Sequence, residues 1–228
     1  MSRTKETAID ALAETQILTT ERLVLRPFGQ GDLDDYAALY ADREVVRYLA
    51  GGPEPWDRSR SWRHLAFVRG HWQLKGTGMW AIEHRESGAF VGSVGFWEPE
   101  GWPGFELAWA LARHFWGFGL ATEAARAALD HAFAVWRKDR VISLIHPENR
   151  ASVRVAERLG ESLLDRIHHG GREMLLFGIE APANEATPIL SFPRCQPTPS
   201  PGEGTLQRGD GWLAPAFCLA PHRLAPVP

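Results

Sequence analysis

A mixed α/β (α+β) fold, one sheet covered by helices, is what the sequence predicts, and three observations carry the prediction. Between residues 19 and 180, segments of alternating or continuous apolar character take turns with segments of helical spacing, in the order β-α-α-β-β-β-α-β-α-β-β. Strand segments that adjoin in sequence are parted by short Gly-bearing turns, which make hairpins. One strand, Phe105–Ala112, is apolar on both faces apart from Glu106, as a central strand would be.

The elements follow in order. Leu23–Arg26 is a short strand stopped by Pro27. Asp32–Ala41 is a helix with Leu33, Tyr36, Ala37 and Tyr40 on one face. A second helix runs from about Trp56 to Leu74, with Trp62, Leu65, Ala66, Arg69 and Trp72 on its face. Met79–His84 and Ala89–Trp97 make a hairpin around Glu86-Ser87-Gly88, and the central strand Phe105–Ala112 comes next. The long helix Leu120–Trp136 places Ala121, Ala125, Ala128, Leu129, Ala132, Phe133 and Trp136 on one stripe. Arg140–Ile145 is a buried strand. Asn149–Leu159 is a helix ended by Gly160, and Glu161–His168 with Glu173–Ile179 closes the domain as a hairpin around Gly170-Gly171.

Composition sets the outer limits. The apolar content, 44%, is that of a globular protein. Residues 1–18 are polar and weakly helical, with charges throughout and no apolar core, which predicts a flexible extension and no secretory signal. Residues 19–180 form the domain. Beyond Glu180 the character changes, with ten of the sixteen prolines in residues 181–228, which predicts an irregular tail around the apolar patch Trp212–Leu219. A net charge of −3 without a run of like charges argues against a nucleic-acid partner. No apolar stretch nears the roughly 20 residues of a bilayer span, so no membrane partner is expected. The two cysteines, Cys195 and Cys218, form no framework, and a cytoplasmic setting is expected.

Chemistry concentrates where the central strand meets the long helix, in Arg113-His114-Phe115-Trp116-Gly117-Phe118-Gly119-Leu120-Ala121-Thr122-Glu123-Ala124-Ala125. Two glycines one residue apart let the backbone turn sharply and approach a ligand with no Cβ in the way. The amides that follow have no partner within the helix, and the macrodipole adds positive potential at the same spot, a combination that binds pyrophosphate without a lysine. A plain β–α turn would also carry a Gly-x-Gly pair. A Rossmann motif would need its acidic residue on the next strand, which ends in His146, and a Walker loop would need Gly-Lys-Ser/Thr where Gly119-Leu120-Ala121 stands.

Five segments in order resemble the GNAT acetyltransferase superfamily over residues 19–179, most closely its ribosomal-protein N-terminal acetyltransferase branch. They are Thr20–Pro27, Phe90–Phe96, Phe105–Trp109, His114–Ala124, and Pro147–Ser152 continued through Glu157–Gly160. The resemblance implies a central mixed, mostly antiparallel sheet with helices on both faces. In it the strand at Phe105 carries a bulge and splays from the next, and the pantetheine arm of acetyl-CoA adds to the exposed edge. It implies cofactor contacts at Trp109, Ala110, Leu111 and Ala112, at His114, Gly117, Phe118, Gly119, Leu120 and Ala121, and at Asn149 and Ser152. It also implies transfer of an acetyl group to a primary amine, a protein N-terminus or a small molecule, by direct attack in a ternary complex. Members of the branch often pair, so a homodimer is expected. One departure stands out: the tyrosine that many members use as general acid falls at Ala156. An acyl-CoA-binding regulatory module without turnover is therefore the alternative.

Acetyl transfer needs a neutral amine, a polarised thioester carbonyl and a proton for the thiolate. Glu106, the one acid of an apolar strand, is the candidate base, set against a plain solvent-facing carboxylate. Ser152, three residues after Asn149 on the same helix face, is the candidate proton donor, set against a capping role. His146, His168 and His169 match no zinc spacing, so no metal is expected. Trp56, Trp62, Trp72, Trp80 and Trp97 fall where the resemblance implies the acceptor site, and read either as packing or as an aromatic pocket.

Overall fold

Alternation along the chain decides which side of the sheet each residue meets. In the computed structural model, which describes residues 17–49 and 52–182, Trp80 and Ile82 of one strand join the core on one face while Met79 and Ala81 join the core on the other. The strands are β1 (Leu18–Thr19), β2 (Leu23–Arg26), β3 (Met79–His84), β4 (Phe90–Trp97), β5 (Glu106–Leu111), β6 (Arg140–Ile145), β7 (Ser162–His169) and β8 (Arg172–Glu180). They form one sheet in the order β1-β2-β3-β4-β5-β6-β8-β7. All neighbours are antiparallel except β5 and β6, which run parallel. The expected extension, Pro-rich tail, cysteines and Trp212–Leu219 patch lie outside the described residues, apart from the few positions that adjoin the domain.

Helices α1 (Leu33–Ala41), α2 (Arg43–Val46) and α3 (Arg58–Lys75) serve one face; α4 (Leu120–Ala134) and α5 (Arg150–Leu159) serve the other. Alanines 124, 125, 128 and 132 give α4 a smooth face that lies close on the sheet. Asp57 caps α3 by accepting from the Arg60 amide at 2.6 Å, and Gly76 ends it in the left-handed region at φ 69°. The inward stripe of α3 is Ser61, Leu65, Val68 and His71, not the stripe expected from sequence: Trp62 is 58% exposed and Ala66 and Arg69 also face out. Leu65 belongs to both the expected and the observed stripe and Trp72 is half-buried beside it, while the polar Ser61 and His71 disguised the true one. His71 earns its burial by bridging backbone, with Nε2 accepting from the Glu98 amide at 3.1 Å and Nδ1 donating to the Thr77 carbonyl at 2.7 Å.

Candidate active site

The parallel pair β5/β6 holds at one point. Glu106 faces Ile142 as its only register pair, and the Ile142 amide donates to the Phe105 carbonyl at 3.0 Å. Beyond it, side chains replace the ladder. The Leu144 amide reaches a Glu106 carboxylate oxygen at 3.4 Å, and the Leu107 carbonyl accepts from the Ser143 hydroxyl at 2.9 Å. From there β5 and β6 part. The splay is as expected, but the bulge is not: β4 and β5 pair from Gly92/Leu111 to Trp97/Glu106 without a register shift. Two side-chain bonds bridge the gap where the ladder stops, and β5 carries no inserted residue against β4.

At the end of β5 the chain passes through a single 3-10 turn, Arg113–Phe115, to Gly117 and Gly119 at φ 86° and 78°. A side chain at either position would be strained in that region. No side chain caps α4, so its first amides stay open. The loop is clamped from β1–β2. Arg22 donates to the Phe118 carbonyl at 2.9 Å and pairs with Glu123 in the first turn of α4, and Glu123 also accepts from the Thr20 hydroxyl at 2.6 Å and the Arg22 amide at 2.9 Å. Burial alone would raise the Glu123 carboxyl, but these bonds from Thr20 and Arg22 outweigh it and hold the group below its usual range.

Two cavities flank the splay. The first, about 430 Å³, runs along the β5 edge to the glycine loop and α5, past Trp109, Ala110, Leu111, Gly117, Gly119, Leu120 and Ala121. Arg150, Arg154 and Arg158, one stripe of α5, line its outer side. The second, about 500 Å³, lies between α1, α3 and the ends of β4 to β6 and is walled largely by aromatic rings. Tyr48, Leu49, Trp109, Asn149 and Ser152 line both, so the cavities meet there.

Glu106 opens on the second cavity and is 7% exposed, which removes the solvent-facing alternative. Burial pushes its carboxyl up to about 7, against hydrogen bonds from Trp102 at 2.6 Å and from Leu144. Behind it Glu161, 4% exposed, is also pushed up to about 7 by burial and, less, by the charge of Glu106, against a hydrogen bond from Ser143. The Ser143 hydroxyl touches Leu107 O at 2.9 Å and Glu161 Oε1 at 3.0 Å; with one proton it bonds both only if Glu161 supplies the other.

The expected cofactor residues divide. Trp109, Ala110, Leu111, Gly117, Gly119, Leu120, Ala121, Asn149 and Ser152 share the first cavity. Ala112 and His114 lie instead on a recess with Asp35, Asp42 and Phe90, and Phe118 points to solvent at 65% exposure. Asn149 caps α5 by accepting from the Ser152 amide at 3.2 Å. Ala156 is fully buried with Ile145, Leu175 and Phe177, so that position reaches neither cavity. Of the five tryptophans, Trp56 and Trp97 line the second cavity, Trp80 stacks on Trp136 while Trp72 meets Trp136 edge-on, and Trp62 faces out. Sequence reasoning missed Tyr48, Trp102, Glu161 and the Arg22–Glu123 clamp. Only the arginine stripe of α5, recurring every fourth residue, left a periodic signal.

Among the described residues no helix is long and apolar enough to cross a membrane, and no group of three or more His, Cys, Asp or Glu could hold a metal ion. Comparison with known proteins gives a match to the family described as "Acetyltransferase (GNAT) domain" over residues 22–161. The chain is 32% identical over 146 residues to the uncharacterized protein YkkB of Bacillus subtilis, covering 63% of this chain and 83% of that one. It superposes on an acetyltransferase structure from Agrobacterium tumefaciens with TM-score 0.64 and 30% identity, covering 72% and 94% of the two chains. An acetyltransferase of ribosomal protein S5 from Vibrio fischeri shares the fold at TM-score 0.58, with 15% identity over 72% and 96%.

Proposed function

The chain belongs to the GNAT acetyltransferase domain family, and from that premise we propose that it transfers an acetyl group from acetyl-CoA to a primary amine. The single observation that carries this reading is the junction of two cavities at a parted parallel strand pair, one reaching a glycine loop and the other a buried carboxylate. The residues fit the donor. The free edge of β5 at Trp109–Leu111 suits the amides of a pantetheine arm, the open amides from Gly117 to Ala121 suit a pyrophosphate, and Arg150, Arg154 and Arg158 suit further phosphate charge. Acetyl-CoA supplies the activated acyl group as a thioester.

The protein's own residues then have distinct tasks. Glu106, held near neutrality by burial, takes the proton that makes the ammonium a nucleophile; an ordinary carboxylate near 4.5 would be too weak a base at pH 7. Trp102 fixes one carboxylate oxygen at 2.6 Å, and the Leu144 amide approaches the other. Ser152, lining both cavities, stands where a thiolate would need a donor, and Tyr48 brings a phenol to the same junction in place of the one absent at Ala156. The apolar second cavity keeps water from competing with the amine.

Thiol release with a panel of amines tests this. Glu106→Gln is expected to lower kcat by about 10²- to 10⁴-fold with acetyl-CoA affinity retained, and to abolish the rise in rate as pH climbs through about 7. A variant as active as the parent would remove Glu106 from the mechanism. Tight acetyl-CoA binding with no amine turned over would favour a regulatory binding module, the reading that the loss of a phenol at Ala156 invites.

A further inference from the structure

Resting on the transferase reading, we infer that the acceptor is a small primary monoamine with a flat apolar body, held among the rings of the second cavity with its nitrogen toward Glu106. The cavity, about 500 Å³, has the size of a small-ligand site and not of a peptide groove. His64 stacks near Trp97 at 5.7 Å between ring centres and meets Trp56 edge-on at 4.8 Å, and Trp97 meets Trp102 edge-on at 6.5 Å. Such rings present faces and edges that take another flat ring.

The polar groups of this aromatic half are already committed to one another. Tyr36 OH bonds His64 Nδ1 at 2.7 Å, Tyr40 OH meets Ser93 at 3.4 Å, and Trp102 Nε1 donates to Glu106. Trp56 Nε1 lacks a partner but is fully buried, closed off from a ligand. Burial, and less the nearby Arg60, pushes His64 down to about 4, so its ring is neutral at pH 7. An acceptor rich in hydroxyls or peptide groups would leave these unsatisfied here, at a cost that disfavours it strongly.

Charge gives the same answer. Among the described residues lining the cavity, the carboxylate is Glu106 and the fixed cation is Arg60, whose guanidinium lies over the Trp56 ring at 4.6 Å. One ammonium has a partner in Glu106; a second, as in a polyamine or an aminoglycoside, would sit unpaired among rings and facing Arg60.

The test compares kcat/KM for 2-phenylethylamine and tryptamine with that for spermidine, an aminoglycoside and a short peptide with a free N-terminus. The aromatic monoamines are expected to lead by 100-fold or more. Trp97→Leu is expected to lower kcat/KM for 2-phenylethylamine at least 10-fold, chiefly through KM, with acetyl-CoA Kd unchanged as proof of folding; a Trp97→Phe variant should recover most of the loss. A lead for spermidine, the aminoglycoside or the peptide, or an unaltered KM in Trp97→Leu, overturns the acceptor assignment and leaves the transferase reading standing. No turnover of any amine by protein that binds acetyl-CoA overturns both.

Discussion

The two cavities are built from different materials. The first, the donor side on the proposed function, has backbone at its centre, with a freed strand edge, two glycines with positive φ and the open first turn of α4, and the arginine stripe of α5 beside them. The acceptor side is made of side chains carried by α1, α3, β4 and the loops around Trp56 and Trp102. A backbone site can be kept with few residue types, because what it needs is conformation. A side-chain site is redrawn by each substitution. On the proposed function, one part of the molecule would serve a shared donor, while the other would be free to define a private acceptor.

The sharpest way to break this contrast is Gly119→Val. If the loop binds through its own conformation, a β-branched residue at φ 78° should raise the acetyl-CoA Kd by about 100-fold in calorimetry. An unchanged Kd would mean that the amides of this loop are not the binding surface. Arg154→Ala, on the outer side of the same cavity, should weaken acetyl-CoA by only about 3- to 10-fold, and the deficit should shrink as salt rises. A loss exceeding that of the glycine variant would show the donor side to be held by charge.

On a separate scale, that of stability, the test falls on the buried acid Glu161. The Glu161 carboxyl rises from 4.5 to about 7 on folding, so its contribution to stability is complete below about pH 4.5 and is lost as pH climbs through 7. Glu161→Gln stays neutral throughout. It should gain on the parent between pH 5 and pH 8 by roughly 1–3 kcal/mol, a few degrees in Tm by scanning calorimetry. No difference between the two pH values would mean that Glu161 is ionised in the folded protein.

What could be read in advance follows the same divide. Periodicity marked the longer strands and helices to within a few residues, because Val141–Ile145 or the alanine stripe of α4 states its environment in its own composition, and left out the short β1 and α2, which span too few residues to show a period. The glycine loop was visible since only glycine tolerates its backbone. Glu106 was visible as a lone acid in an apolar strand. The stripe of α3 was misread because its buried positions include Ser61 and His71, whose partners come from other elements. Tyr48 and Glu161 left no local mark at all, because each acquires its role from a neighbour distant in sequence, Tyr48 from His146 and Glu161 from Ser143; Trp102 sits only four residues before its partner Glu106, but in a loop that no periodicity describes.

The lone Glu106–Ile142 register pair between β5 and β6 also bears on how the sheet holds together. The sheet is two plates, β1 to β5 and β6 to β8, joined along their length by a single backbone stitch. On the proposed function, the donor molecule supplies rungs that the polypeptide omits, so occupancy and integrity are linked: stabilisation grows as RT ln(1 + [L]/Kd). Starved of acetyl-CoA, the protein should open more often along this seam and be cleared sooner by proteases. Its abundance would then follow the supply of activated acetate in the cell.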